Sequence, residues 1–275
     1  MDRMSFFESA GRRENVVLGD ASFDLPILYY RDDLFLAFFP ADLKRVRRFL
    51  PAESLRPVSP YPGKALVGVA AFNYIETSIG PYGEVAVAIP VVHRVPAPSL
   101  LPVILESRYP GFGLFVMHLP VTTLLAREAG RGVWGYPKFT ADMHFANSPE
   151  TALCEMSEGG RHILTLKVAK GGLVMTDNRP LVTYTIMGTD LVRTEVAVRG
   201  IYQMRLRPPD SMLTLGNHPV AETVRELGVD PRPLVTRNYI ERAAILPRGN
   251  VVATGVSPCG GFPGADSDGQ LTTSW

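Results

Sequence analysis

The sequence predicts an α+β domain that is mostly antiparallel β, and three observations lead to that class. Period-two or continuously apolar segments recur along the chain with Gly, Pro or Asn between them. The run Val192–Arg207 is long for a strand and suits a curved sheet or a barrel wall. Helical patterns are few and short, and neither an internal repeat nor a linker interrupts residues 27–250.

Taken in order, residues 1–26 are mixed and polar, end at the turn-like Asp24-Leu25-Pro26, and read as an N-terminal arm over the core or a neighbour. Ile27–Tyr30 and Leu34–Phe39 read as two strands around Arg31-Asp32-Asp33. Leu43, Val46, Phe49 and Leu50 follow Pro40-Ala41-Asp42 and precede Pro51, the spacing of a short amphipathic helix. A Pro-rich loop over 51–63 leads to a buried strand, Ala65–Tyr74, then to turn chemistry at Ser78–Gly83 and a second buried strand, Glu84–Val92. A charged residue at the mouth of that strand, Glu84, stands out. Pro-rich residues 95–103 lead to strand Leu114–Leu119. Val121–Ala129 reads as a helix started at Thr122 or Thr123 and stopped by Gly130.

From Phe139 the period is two, with Phe139, Ala141, Met143 and Phe145 on one face and Thr140, Asp142 and His144 on the other. Strand-like runs cover 151–157, 161–169, 180–187 and 191–206, and Pro219–Leu227 is a helix closed by Gly228. Residues 253–275 are rich in Gly, Pro, Ser and Asp and read as an irregular tail, which leaves 27–252 as the domain.

Composition excludes several classes. At 275 residues and 46% hydrophobic the chain has enough material for a sizeable core. A net charge of +1 without a basic stripe argues against nucleic acid or an anionic membrane as partner; Lys44–Arg48 reads as a solvated helix face. The two cysteines, Cys154 and Cys259, lack metal-ligand spacing and fit a reducing cytosol. The N-terminus lacks a signal-peptide core and no run is long enough for a membrane span, so a cytoplasmic location is expected.

The stretch with the most chemistry is Gly130–Phe145. Of five lysines, four (Lys44, Lys64, Lys167, Lys170) sit in surface-like settings. The fifth, Lys138, sits among Trp134, Tyr136, Pro137 and Phe139, where a solvated ammonium is hard to place. Such a lysine is either a stem passing aromatic rings or an amine kept neutral for chemistry. A free lysine, with pKa about 10.4, exposes a neutral amine in only about one molecule in 2,500 at pH 7, and burial raises that fraction. A neutral buried amine condenses with a ketone, and the resulting iminium is an electron sink. That chemistry needs neither metal nor cofactor, in keeping with a chain that has no GxGxxG, no Walker A, no G-x-S-x-G and no HExxH. Asp32 and Asp33 are adjacent and face opposite ways in a strand, a poor acid–base pair.

The segment G-R-G-V-W-G-Y-P-K-F resembles the G-R-E-x-x-x-Y-P-K-K motif of the acetoacetate decarboxylase superfamily, and Lys138 falls on its Schiff-base lysine without gaps. G-P-Y-G-E-V-A-V-A-I-P-V resembles the strand that carries that family's active-site glutamate, which lands on Glu84. Three weaker matches, around Leu34–Pro51, Leu213–Ala221 and Ala244–Val252, extend the resemblance over roughly 20–255. The resemblance implies a closed, cone-like antiparallel β-barrel with the lysine inside, in a homo-oligomer, and a lysine activated by desolvation and a neighbouring cation.

The departures are as informative. The second lysine of the motif is Phe139, and its glutamate is Gly132. The arginine expected near the substrate carboxylate aligns on Asp32, with Arg31 beside it, and a further carboxylate aligns near Gly68 or Val69. Two enzyme readings follow for a small keto acid: decarboxylation through the Lys138 iminium with Glu84 as proton carrier, or condensation and dehydration of a pyruvate-like acid with an aldehyde through the same lysine. A third, non-enzymatic reading is a barrel binding an apolar or keto ligand with Lys138 as anchor. Tyr82 and Tyr136 are candidate proton carriers, Trp134 and Phe139 the apolar wall, Arg131 a loop brace or partner of Glu84, His118 part of the pocket wall, and Glu128 a replacement carboxylate or plain helix surface.

Overall fold

The computed structural model describes residues 3–95, 109 and 111–257. The chain opens with a short helix, α1 (Arg3–Glu8), and a hairpin of β1 (Glu14–Leu18) and β2 (Ala21–Leu25). β3 (Ile27–Asp42) is one continuous strand. The sequence suggests two strands broken at Arg31-Asp32-Asp33; pairing with the next strand instead shifts register on either side of Arg31, so an irregularity absorbs the polar residues without ending the strand. Asp42 caps α2 (Leu43–Arg48) by accepting from the Arg45 N–H at 2.9 Å. The Pro-rich segment after it contains the short β4 (Leu55–Pro57), which leads to β5 (Lys64–Thr77) and β6 (Tyr82–His93).

The Pro-rich stretch 95–103 lies outside the described residues but for Val95. β7 (Phe112–His118) is followed by α3 (Leu124–Trp134), with Thr123 as its N-cap. This helix runs four residues past the expected stop at Gly130. Its stop is Gly135, at φ +64°, and the Gly135 and Tyr136 N–H groups close the end on the carbonyls of Arg131 and Gly130. Then come β8 (Asp142–Asn147), β9 (Thr151–Glu158), β10 (Arg161–Ala169), β11 (Leu173–Asp177), β12 (Leu181–Met187), β13 (Asp190–Leu206) and β14 (Met212–Leu215). Helix α4 (Pro219–Glu226), β15 (Val235–Leu246) and β16 (Asn250–Ala253) complete the described chain. Of the expected irregular tail, residues 258–275 lie outside the described residues, Cys259 among them.

Strands β13, β12, β7, β6, β5, β3 and β15 pair in that order, and β15 pairs back onto β13. That closes a seven-stranded barrel. Six of its seams are antiparallel; β7 and β12 run parallel, with Leu114 opposite Thr183. The barrel is thus closed and mostly antiparallel as expected, with this one parallel seam as the exception. Between β7 and β12 the chain makes α3 and most of a second sheet, and a crossover of that length is what a parallel pairing requires. The second sheet, in the order β14-β10-β9-β8, covers one side of the barrel.

Two buried regions result. Outside the barrel wall, Val67, Val69, Val85, Val87 and Ile89 pack with Cys154, Met156, Ile163 and Leu166 of the covering sheet and with Val220 and Val224 of α4. Burial pushes the Cys154 thiol up to about 12, with the charge of Glu155 adding, as suits a packed core thiol. Inside the wall and toward α3, Tyr29, Tyr74, Tyr82, Val116, Leu119, Trp134 and Tyr136 form the other region.

Candidate active site

The turn after α3 presents the lysine. Beyond Gly135 the chain runs beside the end of β7: Leu119 N–H donates to Pro137 O at 3.0 Å and Val121 N–H to Phe139 O at 2.9 Å. Lys138 N–H closes a tight turn on Tyr136 O at 2.7 Å, around Pro137. Tyr136 and Lys138 therefore point into the barrel, and Phe139 points out of it. The Lys138 stem then lies flat on helix α3 at Gly130. A Cβ on Gly130 would sit 2.4 Å from Lys138 Cδ and 2.5 Å from Cε, so only glycine leaves room for the stem. The glycine that looks like a helix stop is a seat for the lysine.

Lys138 Nζ lies 2.7 Å from Glu84 Oε2, and both residues are buried, 5% and 6% exposed. The other carboxylate oxygen accepts from the Tyr74 hydroxyl at 3.2 Å. The rings of Tyr82 and Tyr136 each lie 5.7 Å from Nζ, within cation–π range. The Tyr82 hydroxyl shares a hydrogen bond with Tyr29 at 3.0 Å, and that of Tyr136 with Thr183 at 2.8 Å. Burial, with the Glu84 charge adding, holds the Tyr29 and Tyr74 hydroxyls well above the ordinary tyrosine range, and burial foremost does the same for Tyr82 and Tyr136. These phenols are protonated donors.

The cavity around this group has a volume of about 120 Å³ and a mostly aliphatic and aromatic lining. Further charged groups reach it. Arg242 of β15 pairs with Asp32 of β3 at 2.6 Å, and the guanidinium lies over the Phe72 ring at 5.5 Å. Burial raises Asp32 above the ordinary carboxylate range against the pull of Arg242, and its Oδ1 has no hydrogen-bond partner among the described residues. Arg237 stacks on the Tyr202 ring at 4.9 Å. Asp177 takes the Tyr239 hydroxyl at 2.5 Å and pairs with Arg179 at 3.2 Å. Among the described residues no three His, Cys, Asp or Glu side chains cluster as metal ligands.

Of the residues singled out from sequence, Lys138, Glu84, Tyr82 and Tyr136 come together. Trp134 stands one layer behind, 6.0 Å from the Tyr136 ring centroid, with its indole N–H on Pro247 O at 2.7 Å. Phe139 lies in the outer region, stacked on His218, so a cation in its place would face away from the amine. His118 is fully buried but also faces outward. A bulge at Met117 sets it opposite Val87 of the outer region, and burial, with His218 adding, lowers it to about 4. Arg131 is half-buried in the last turn of α3 and outside the cavity lining. Glu128 pairs with Arg127 at the surface, and Arg31 is exposed. A side chain at Gly132 would meet Leu18 of β1 rather than the cavity.

Sequence reasoning missed Tyr29, Tyr74, Arg237 and Arg242. A trace of the last two existed: R-N-Y-I-E-R in β15 carries too much charge for a strand whose neighbours are apolar.

The profile of the acetoacetate decarboxylase (ADC) family matches residues 20–254. No curated protein sequence matches significantly. Solved structures share the fold at low identity. The acetoacetate decarboxylase of Legionella pneumophila subsp. pneumophila str. Philadelphia 1 is 17% identical, with 83% of this chain and 88% of that chain covered at a TM-score of 0.62. The enduracididine biosynthesis enzyme MppR, complexed with the condensation product of pyruvate and imidazole 4-carboxaldehyde, is 14% identical over 83% and 89% at 0.60. An acetoacetate decarboxylase-like enzyme from Sphingomonas wittichii RW1 is 16% identical over 86% and 95% at 0.58.

Proposed function

Because the chain belongs to the acetoacetate decarboxylase family, we propose that it is a lyase for a small keto acid, with Lys138 as imine-forming nucleophile and Glu84 as proton carrier. The observation that carries this reading is the buried 2.7 Å contact between the two inside a closed barrel. One proton hop across it leaves a neutral amine and a neutral carboxyl group. The amine adds to the ketone carbon, and the carbinolamine loses water as Glu84 gives its proton to the departing hydroxyl. An iminium then stands beside the Glu84 carboxylate, in surroundings too dry to screen the pair.

In a β-keto acid the electron pair of the bond to the carboxylate flows into this iminium. CO2 leaves and an enamine remains. The enamine carbon takes a proton relayed from solvent through Glu84, and water releases the ketone and the lysine.

The hydroxyls of Tyr74 on Glu84 and of Tyr82 on Tyr29 favour a second reading, because they supply more proton carriers than loss of CO2 uses. There the iminium of a pyruvate-like acid loses an α-proton, and the enamine attacks an aldehyde. Glu84 takes that α-proton and gives it to the aldehyde oxygen, then removes a second α-proton and passes it to the new hydroxyl, which leaves as water; hydrolysis of the unsaturated iminium frees the product and the lysine. Carbon-13 NMR separates the two: the protein is mixed with β-keto acids, acetoacetate included, and separately with pyruvate and a panel of aldehydes. Loss of the carboxyl carbon as CO2 supports the first reading, and a new carbon–carbon bond the second. Turnover that persists in Lys138→Ala contradicts both.

A further inference from the structure

We infer that Tyr74 of β5 is the positioning residue for Glu84, holding its carboxyl group toward the reacting carbon once Lys138 is tied up in substrate. The inference rests on the reading of Lys138 and Glu84 above. It applies to either reaction, because both pass through an enamine.

The contact is built from rigid parts. Tyr74 pairs across with Tyr82 of β6, and Glu84 stands two residues further along that strand, opposite Phe72. Tyr74 and Glu84 are thus diagonal neighbours on the inner face, a separation that an aromatic side chain spans. The Tyr74 ring lies among three others, its centroid 4.5 Å from Tyr29, 4.6 Å from Tyr82 and 5.3 Å from Phe72. Packing on these rings leaves the buried phenol little freedom, and its hydroxyl donates to Glu84 Oε1 at 3.2 Å. The glutamate side chain is the flexible partner and takes a single position only when it is held.

In the free protein Glu84 has two holders, since Lys138 Nζ takes Oε2 at 2.7 Å. That second hold weakens during the reaction. An ammonium offers three donors and a full charge, whereas the iminium keeps one N–H and the enamine nitrogen is neutral. Among the described residues, the Tyr74 hydroxyl is the side-chain donor to Glu84 that the reaction does not consume. It also selects the oxygen. With Oε1 accepting from Tyr74 whether Glu84 is charged or neutral, the mobile proton rides on Oε2, the oxygen beside the Lys138 nitrogen. Protons therefore enter and leave on the side where the substrate carbon is bound.

Deuterium exchange reads the shared step without CO2 loss or an aldehyde. Acetone and pyruvate are each incubated with the full wild-type chain in D2O, and their methyl hydrogens are followed by NMR. The ketone forms the Lys138 iminium, and a methyl proton passes to Glu84 Oε2. Solvent replaces that proton with a deuteron, which returns to the enamine carbon before hydrolysis. Tyr74→Phe should slow this exchange at least about tenfold. The borohydride-trapped adduct on Lys138 after long incubation, which reports the imine equilibrium and not a rate, should match that of the wild type. Tyr74→4-aminophenylalanine restores a donor and should recover most of the exchange. Exchange as fast in Tyr74→Phe as in the wild type overturns the inference. So does loss of adduct and exchange together, which would give the hydroxyl a role in the fold alone. Failure of the lysine reading shows differently, as a wild type with neither adduct nor exchange, and the role of Tyr74 falls with it.

Discussion

Strands β5 and β6 separate two buried regions by the thickness of one sheet, and the two are built on opposite plans. On the outer face, Val67, Val69, Val85, Val87 and Ile89 have no exposed surface and pack against the covering sheet. On the inner face the same strands present Ala70, Phe72, Tyr74, Glu84 and Ala86 to a cavity with two buried ion pairs at its rim. The outer region gains stability from every buried methylene, at about 0.8 kcal/mol each. The inner region leaves volume unfilled and holds charges whose desolvation opposes folding. Burial by itself does not separate core from site; what the burial leaves unspent does.

The largest expected effect falls in the inner region. Lys138→Ala should lower turnover by about 10⁴-fold or more, and Glu84→Gln by about 10²–10⁴-fold, read as kcat/KM on whichever keto acid turns over. Removing one partner also strands a buried charge. Lys138→Met should therefore cost about 3–5 kcal/mol in urea unfolding, and adding Glu84→Gln to it should recover part of that loss. Simple addition of the two costs would mean that the pair is not coupled.

Gly130→Ala divides stability from chemistry. In the middle of a helix this substitution ordinarily stabilises by up to about 1 kcal/mol. Here the new methyl meets the Lys138 stem, the flexible part of a side chain, so the helix should keep its stability while the amine is displaced from Glu84. The expected outcome is an unchanged or raised urea midpoint with turnover down at least about tenfold. Unchanged turnover would show that the stem has another seat.

Much of this was legible in the sequence, and the exceptions have one cause. A lysine among aromatic residues and a glutamate at the mouth of an apolar strand were visible anomalies, and they meet at 2.7 Å. Most barrel strands were visible as periodic or apolar runs. Closure of the barrel was legible only through the family resemblance, and its parallel seam not at all, because pairing partners distant in sequence leave no local pattern. Facing was lost where single residues bulge. The extra residue at Met117 turns His118 outward, and one at Ile240 brings Arg242 to the same side as Arg237. Gly130 was misread for a related reason: a helix stop and a close approach both select glycine, and only packing tells them apart.

The outer region should respond in stability and not in chemistry. His118 ordinarily titrates near 6.5 and in the fold is lowered to about 4, by burial first and by His218 second. Its neutral form is the one the fold accommodates, so its contribution is complete above about pH 6.5 and is lost as pH falls toward 4, up to about 3 kcal/mol. Urea midpoints measured across that window should fall with pH, and the slope should flatten in His118→Gln. Smaller still, Ile89→Val should cost about 0.5–1.5 kcal/mol and leave kcat/KM untouched. A change in turnover from either outer substitution would mean that the wall transmits what this comparison says it separates.

The central claim is tested most directly by borohydride trapping with a panel of keto acids, acetoacetate and pyruvate included, read by intact mass and peptide mapping. A reduced adduct on Lys138 that is absent from Lys138→Ala is the predicted result. Absence of an adduct with every ketone from pH 5 to 9 would contradict it and leave the lysine as a charged anchor in a binding barrel.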